Sequence, residues 1–287
     1  MKRRALAAAT AALLAGAGCA GTDERRPVVA AFYPLAFAAA EIAPPGTHVE
    51  NLTAPGVEPH DLELSARDVR RVADAAAVLY LGEGFQPAVE DAIAATGARG
   101  VDLLVGLPLL EAGGDEHREA EGRDPHVWLD PVRYATIARR IGRELGAADR
   151  AEGFAARLGR LDAELRAGLS TCARRELVTS HAAFGYLAAR YGLAQVPLAG
   201  LGPEAEATPR QLREVIREVR EHGATTVFFE TLVSPRLAQT VAREVGAETA
   251  VLNPLEGLTD DEVAAGEDYF SVMRANLAAL RKGLGCS

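Results

Sequence analysis

Three histidines and one glutamate stand in contexts suited to holding a divalent cation: His60 in "VEPHDLE", His126 in "RDPHVWLDP", His181 in "VTSHAAFGY" and Glu256 in "NPLEGLT". The chain has only six histidines, and half of them fall in these turn-rich or proline-stiffened segments. Three imidazoles and a carboxylate suit zinc, which takes nitrogen and oxygen ligands tetrahedrally. Manganese prefers more oxygen and a higher coordination number. Four protein ligands also close the tetrahedron, whereas a catalytic zinc keeps one position for water. The set therefore favours carriage of the ion over hydrolysis. Of the other histidines, His222 precedes Gly223 at a helix end, His48 opens a strand, and His117 lies in an acidic loop as a candidate accessory ligand.

The elements that must position these four residues are readable as alternating β and α patterns. Strands are expected over 28–32, 48–53, 77–82 and 100–106, with helices over 65–75 and 87–96 and a helix of small apolar residues after the first strand. A second series has strands over 176–180, 195–200, 226–230 and 249–253, with helices over 182–191, 209–222, 235–245 and 262–284. Such alternation implies parallel sheets covered by helices, which bind ligands beyond the carboxyl ends of their strands. All four candidates follow strand ends, two in each series. Between the series, residues 131–173 carry a nearly unbroken helical pattern. A single helix of that length would extend about 60 Å, too long for one lobe, and is expected to run along both as a spine. The fold class is thus α/β, with two parallel-sheet βα lobes joined by one long spine helix and a metal site in the cleft between them.

The segment around His126 is the most constrained. Pro125 and Pro131 forbid a regular helix across it and stiffen the backbone on both sides of the imidazole. Trp128, the only tryptophan, can wedge the junction against a lobe. Asp124 or Asp130 can orient the His126 ring, and Asp130 before Pro131 also resembles a helix N-cap.

Bulk properties limit the alternatives. Met1–Arg4 is basic, residues 5–17 are apolar but too short to span a bilayer, and "LLAGAGC" ends at Cys19. Residues 1–18 read as a lipoprotein signal that leaves Cys19 lipidated, and 19–27 as a tether. Removing the signal takes away Lys2, Arg3 and Arg4 and moves the formal charge from −9 to −12. So acidic a chain is a poor nucleic-acid binder and a plausible collector of cations. An aromatic content of 5% argues against carbohydrate or aromatic ligands. With Cys19 lipidated, Cys172 and Cys286 remain in an oxidising compartment, where pairing is expected and two separate buried thiols are the alternative.

The mature chain resembles the zinc-binding solute-binding lipoproteins of metal ABC transporters, in the branch with a rigid linking helix. The segments that carry the resemblance are "GVEPHDLELSARDV", "DPHVWLDP", "TSHAAFGYLAARYGL", "GLGPEAEATPRQL", "VFFETLVSP" and "VLNPLEGLTDDEVAAGEDYFSVMRANLAAL", in the family's order. The resemblance implies metal ligands at His60, His126 and His181, with histidine at 181 where manganese-binding members have glutamate. It implies Glu256 as the fourth ligand, with Glu58 or a water as the alternative. It further implies a monomeric, lipid-anchored, extracytoplasmic carrier that delivers Zn2+ to a membrane permease and is not an enzyme. A surface adhesion role would overlap with this one. A manganese or iron carrier of the same fold, or a zinc hydrolase, are the competing readings. The expected domains are the signal (1–18), the tether (19–27), an N-terminal lobe (28–130), the linking helix (131–173) and a C-terminal lobe (174–287). The acidic loop 111–124 is shorter than the His-rich loop many members carry, so it offers little beyond His117.

Overall fold

A computed structural model of the chain describes residues 26–111, 122–202 and 209–287. Cys19, the signal segment and His117 lie outside the described residues. The first lobe runs β1 (Val28–Ala30), α1 (Tyr33–Ile42), β2 (Val49–Asn51), α2 (Ala66–Asp74), β3 (Ala77–Tyr80), α3 (Pro87–Thr96) and β4 (Gly100–Asp102). Its strands are all parallel, in the order β2-β1-β3-β4. β1 and β3 are central and almost wholly buried, as the apolar runs "VVA" and "AVLY" require. Ser65 caps α2 with a reciprocal capping box to Asp68, which fixes where the chain leaves the loop bearing His60.

After a short 3-10 turn at Val127–Leu129, α4 (Pro131–Glu144) begins with Asp130 as its cap. The Asp130 carboxylate accepts from the backbone N–H of Val132 at 2.9 Å. The expected spine over 131–173 is not one helix. The chain reverses at Leu145–Ala147, where Gly146 takes φ +65°, and returns as α5 (Ala148–Leu169). Arg190 demonstrates the antiparallel arrangement by bridging both arms at the open end of the hairpin. Its guanidinium lies 3.2 Å from Asp130 at the start of α4 and 2.8 Å from Asp162 well along α5. The linking helix is therefore α5 alone, 22 residues or about 33 Å. It is tied to the first lobe by Arg150 donating to the Ile42 carbonyl at 2.8 Å, and to the second by Glu164 and Arg274 at 2.7 Å.

The second lobe repeats the strand order of the first. β5 (Glu176–Thr179), α6 (Gly185–Tyr191), β6 (Ala194–Pro197), α7 (Pro209–Glu221), β7 (Thr226–Phe229), α8 (Arg236–Val245) and β8 (Glu248–Val251) give a parallel sheet ordered β6-β5-β7-β8. The expected closing helix over 262–284 is two helices, α9 (Asp260–Ala264) and α10 (Tyr269–Leu284). They part at Gly266 (φ +75°), and capping boxes at Thr259–Glu262 and Asp268–Ser271 open each one. The sulfurs of Cys172 and Cys286 are bonded, joining the end of α5 to the end of α10.

One apolar core runs without interruption through the first lobe, both hairpin helices and the near side of the second lobe, while a smaller core lies under α7 and α8. The hairpin packs closely: a Cβ added at Gly142 would stand 2.3 Å from the Ala151 Cβ. Gly142→Leu is expected to lower stability by about 1–3 kcal/mol through overpacking, although leucine is the better helix former. A denaturant midpoint unchanged or raised in the variant would refute this.

Candidate metal centre

The His60 ring is carried by the turn after β2. Glu58 accepts the His60 backbone N–H at 3.1 Å, Pro59 is buried, and the ring stands edge-on to Phe85 at 4.7 Å between centroids. The first-lobe loop is tied across the cleft by the Gly56 N–H donating to the Leu258 carbonyl at 2.8 Å.

His126 sits at the hinge between β4 and α4. Asp124 Oδ1 accepts the His126 backbone N–H at 2.9 Å and lies 2.7 Å from the ring Nδ1. Of the two aspartates, Asp124 therefore orients the ring while Asp130 caps α4. Trp128 is fully buried, edge-on to Phe32, and its indole N–H donates to the Pro254 carbonyl across the lobes at 2.8 Å. Tyr269 donates back to the Trp128 carbonyl at 2.7 Å. Tyr186, from the second lobe, donates to the Asp124 carbonyl at 2.7 Å. The rigidity implied by the two prolines is thus backed by bonds to both lobes.

His181 follows β5 directly. Its carbonyl accepts from Thr179 Oγ1 at 2.7 Å and from Gln195 Nε2 at 3.0 Å, and its Nδ1 lies 2.6 Å from Glu230 Oε1. Glu256 follows β8 through Asn253-Pro254. Asn253 and Asn276 exchange side-chain and backbone hydrogen bonds, and Asn253 Oδ1 accepts from the Leu255 N–H at 2.7 Å. Leu255 is held at φ +58°, a left-handed conformation uncommon for leucine, and its side chain is fully buried. That turn aims Glu256 into the cleft.

The four side chains meet. Glu256 Oε1 lies 3.0 Å from His126 Nε2, 3.2 Å from His181 Nε2 and 3.5 Å from His60 Nε2. One candidate ligand atom from each residue falls within 4.8 Å of all the others. His126, His181 and Glu256 are fully buried, and the His60 side chain is 13% exposed, so solvent reaches the site from the His60 side. Glu58 is near but turned to its own loop. Its Oε2 is buried without a hydrogen-bond partner, as are His60 Nε2 and Glu256 Oε2.

Electrostatics couple the cluster. Burial opposes protonation of His126, but Asp124 and Glu256 outweigh it and its pKa is raised. Burial likewise opposes protonation of His181, and Glu230 with Glu256 raises its pKa well above the ordinary value. Burial lowers the pKa of His60, which among the described residues has no such carboxylate behind its ring. Burial would raise the pKa of Glu256, but the three imidazoles hold it well below the carboxylate range. Burial, followed by repulsion from Glu256, pushes Glu58 up to about 8. Three nitrogens and an oxygen drawn from four loops, facing one small volume, are a donor set for a tetrahedral divalent ion. Among the described residues, Glu230 behind His181 is a carboxylate at the site that sequence reasoning passed over, as are Phe85 against His60 and Gln195 on the His181 carbonyl.

Known proteins resemble the chain over most of its length. Residues 28–283 match the family model described as zinc-uptake complex component A, periplasmic. The zinc-binding protein AdcA of Streptococcus pyogenes is 36% identical over 283 residues, covering 88% of this chain and 55% of that protein. The chain thus spans about half the length of the AdcA relatives it matches. The Zn(II)-bound ZnuA-like domain of Streptococcus pneumoniae AdcA superposes with a TM-score of 0.74 at 36% identity, covering 90% of this chain and 98% of that one. The laminin-binding protein Lmb of Streptococcus agalactiae, described as having adhesin and metal transporting activity, gives 0.79 at 29% identity, covering 90% of this chain and 99% of that one.

Proposed function

Because the chain belongs to the zinc-uptake complex component A family, we propose that it captures Zn2+ outside the cytoplasmic membrane and hands it to the permease of an ABC importer. His60, His126, His181 and Glu256 would hold the ion. The observation that carries the reading is the convergence of three imidazole Nε2 atoms within 3.5 Å of one buried carboxylate oxygen. Nitrogen-rich, compact and four-membered, the set suits zinc better than manganese, which favours more oxygen donors. It also suits carriage better than catalysis. Four protein groups fill a tetrahedral shell and leave no position for an activated water. The anchor would be Cys19, a role supported by the sequence and by the lipoprotein AdcA of Streptococcus pneumoniae, 36% identical over 280 residues. Among the described residues no helix is long and apolar enough to cross a membrane. Metal analysis of protein purified without added metal, followed by zinc–manganese competition, tests the reading. Stoichiometric manganese retained against zinc would overturn it.

Zinc binding is expected to weaken as pH falls. The ion binds neutral imidazole, so protons compete with it. His126 and His181 have raised pKa values, so in the metal-free protein the competition begins above the ordinary histidine value of about 6.5. Titration against a chelator at pH 7.5 and 5.5 (about one unit either side of that value) should show a clear loss at the lower pH. Identical isotherms would contradict a three-histidine site.

A further inference from the structure

His181 differs from the other two imidazoles in how it is held. The parallel pairing of β5 with β7 sets Thr179 beside Phe228, and two residues beyond that pair stand His181 and Glu230, with the Ser180 hydroxyl also reaching Glu230. Glu230 is 2% exposed. Its Oε1 lies 2.6 Å from His181 Nδ1 and also accepts the Ser180 hydroxyl, while its Oε2 is buried without a hydrogen-bond partner. The His181 carbonyl is fixed separately by Thr179 and Gln195. Backbone and ring are therefore secured by different groups, and Glu230 holds the ring at Nδ1, the side away from Glu256.

We propose that Glu230 is the positioning residue for His181 in zinc capture. This rests on the reading of the cluster as a zinc site. A carboxylate that accepts the Nδ1 proton leaves the Nε2 lone pair directed at the ion, fixes the ring's rotation and raises its basicity as a donor. His126 receives the same support from Asp124, two residues away in its own loop, whereas the support for His181 comes from a neighbouring strand 49 residues along the chain. Among the described residues His60 has no carboxylate behind its ring, and it is the most exposed of the three. The two lobes thus each present one braced imidazole, and the first lobe adds a third that stands unbraced at the solvent side. Ser180 completes the arrangement by holding Glu230 Oε1 in line with the ring.

The test compares Glu230→Ala and Glu230→Gln with the full-length protein, using Zn2+ alone against a competing chelator. Removing the brace should cost about 10- to 100-fold in affinity. Glutamine keeps an oxygen acceptor at the same reach and should recover part of that loss. Nitrogen NMR of the zinc-loaded protein supplies a readout that packing alone would not move. His181 should be metal-bound through Nε2 with its Nδ1 protonated, and the Nδ1 proton should shift in Glu230→Gln, which needs no alanine variant to fold. Affinity of Glu230→Ala within twofold of the parent, no recovery by glutamine, or an Nδ1-bound His181 would each overturn the assignment. A parent protein that binds no zinc would instead defeat the reading of the site.

Discussion

Glu256→Ala is expected to weaken zinc binding by two to three orders of magnitude, and Glu58→Ala by less than tenfold. Structural zinc sites of four ligands bind with about 10–16 kcal/mol, so one ligand accounts on average for roughly 2.5–4 kcal/mol, each 1.4 kcal/mol being about a factor of ten. Glu256 is the one carboxylate toward which all three imidazoles point, and it is fully buried. Its loss leaves three neutral rings around a divalent ion with only water to complete the shell. Glu58 also has a buried oxygen nearby, but its Oε1 is engaged by the His60 backbone at 3.1 Å and Pro59 separates it from the ring. Chelator competition on the two variants decides between them. Equal losses would mean that both carboxylates act on the ion, and a larger loss at Glu58 would reverse the assignment.

Reduction of the Cys172–Cys286 bond is expected to lower stability by up to about 4–5 kcal/mol on the chain-entropy estimate for so long a loop. The two cysteines are separated by 114 residues, and the unfolded chain regains the freedom of that whole loop when the bond is cut. The ends it joins are packed without it: the Ala173 N–H donates to the Gly285 carbonyl at 3.2 Å, and the Thr171 hydroxyl donates to the Ser287 carbonyl at 3.0 Å. The folded state should therefore persist after reduction, with zinc affinity unchanged because the bond lies at the opposite end of α10 from Tyr269, whose hydroxyl donates to the Trp128 carbonyl beside the site. Urea unfolding of the oxidised and reduced forms would show the effect. Coincident midpoints, or two free thiols in the native protein, would contradict it.

Much of this was legible in the sequence because it depends on local signals. The apolar runs that became β1, β3, β5 and β7 are short, bounded by turn residues and β-branched, and the four candidate residues follow strand ends where parallel sheets place ligands. The turn between α4 and α5 was not legible. "RELGAADR" contains one glycine, which a helical pattern tolerates, and the apolar periodicity continues on both sides of it. Gly146 closes α4 locally, its N–H donating to the Arg143 carbonyl and that of Ala147 to the Gly142 carbonyl, but the reversal is held by tertiary contacts: Gly142 against Ala151, and Arg190 holding Asp130 and Asp162 together. The break between α9 and α10 did carry a local signal in its paired capping boxes. Glu230 was invisible for a different reason. It reads as the polar end of the buried run "TVFFE", and its partner lies on another strand. Only the register of β5 against β7 brings the two together.

The disulfide has a topological consequence. Cys172 lies just before the second lobe and Cys286 one residue from the chain's end, so residues 173–285 form a covalent ring that coincides with that lobe. A single peptide-bond cut anywhere within the ring opens it without releasing a fragment, and the two pieces part only on reduction. Tension applied between the first lobe and Cys286 passes through the bond and bypasses the ring. Pulled between Val28 and Cys286, the protein should extend by the contour length of the first lobe and the α4–α5 hairpin alone, because once the contacts between the lobes part, the covalent path bypasses His181, Glu230 and Glu256.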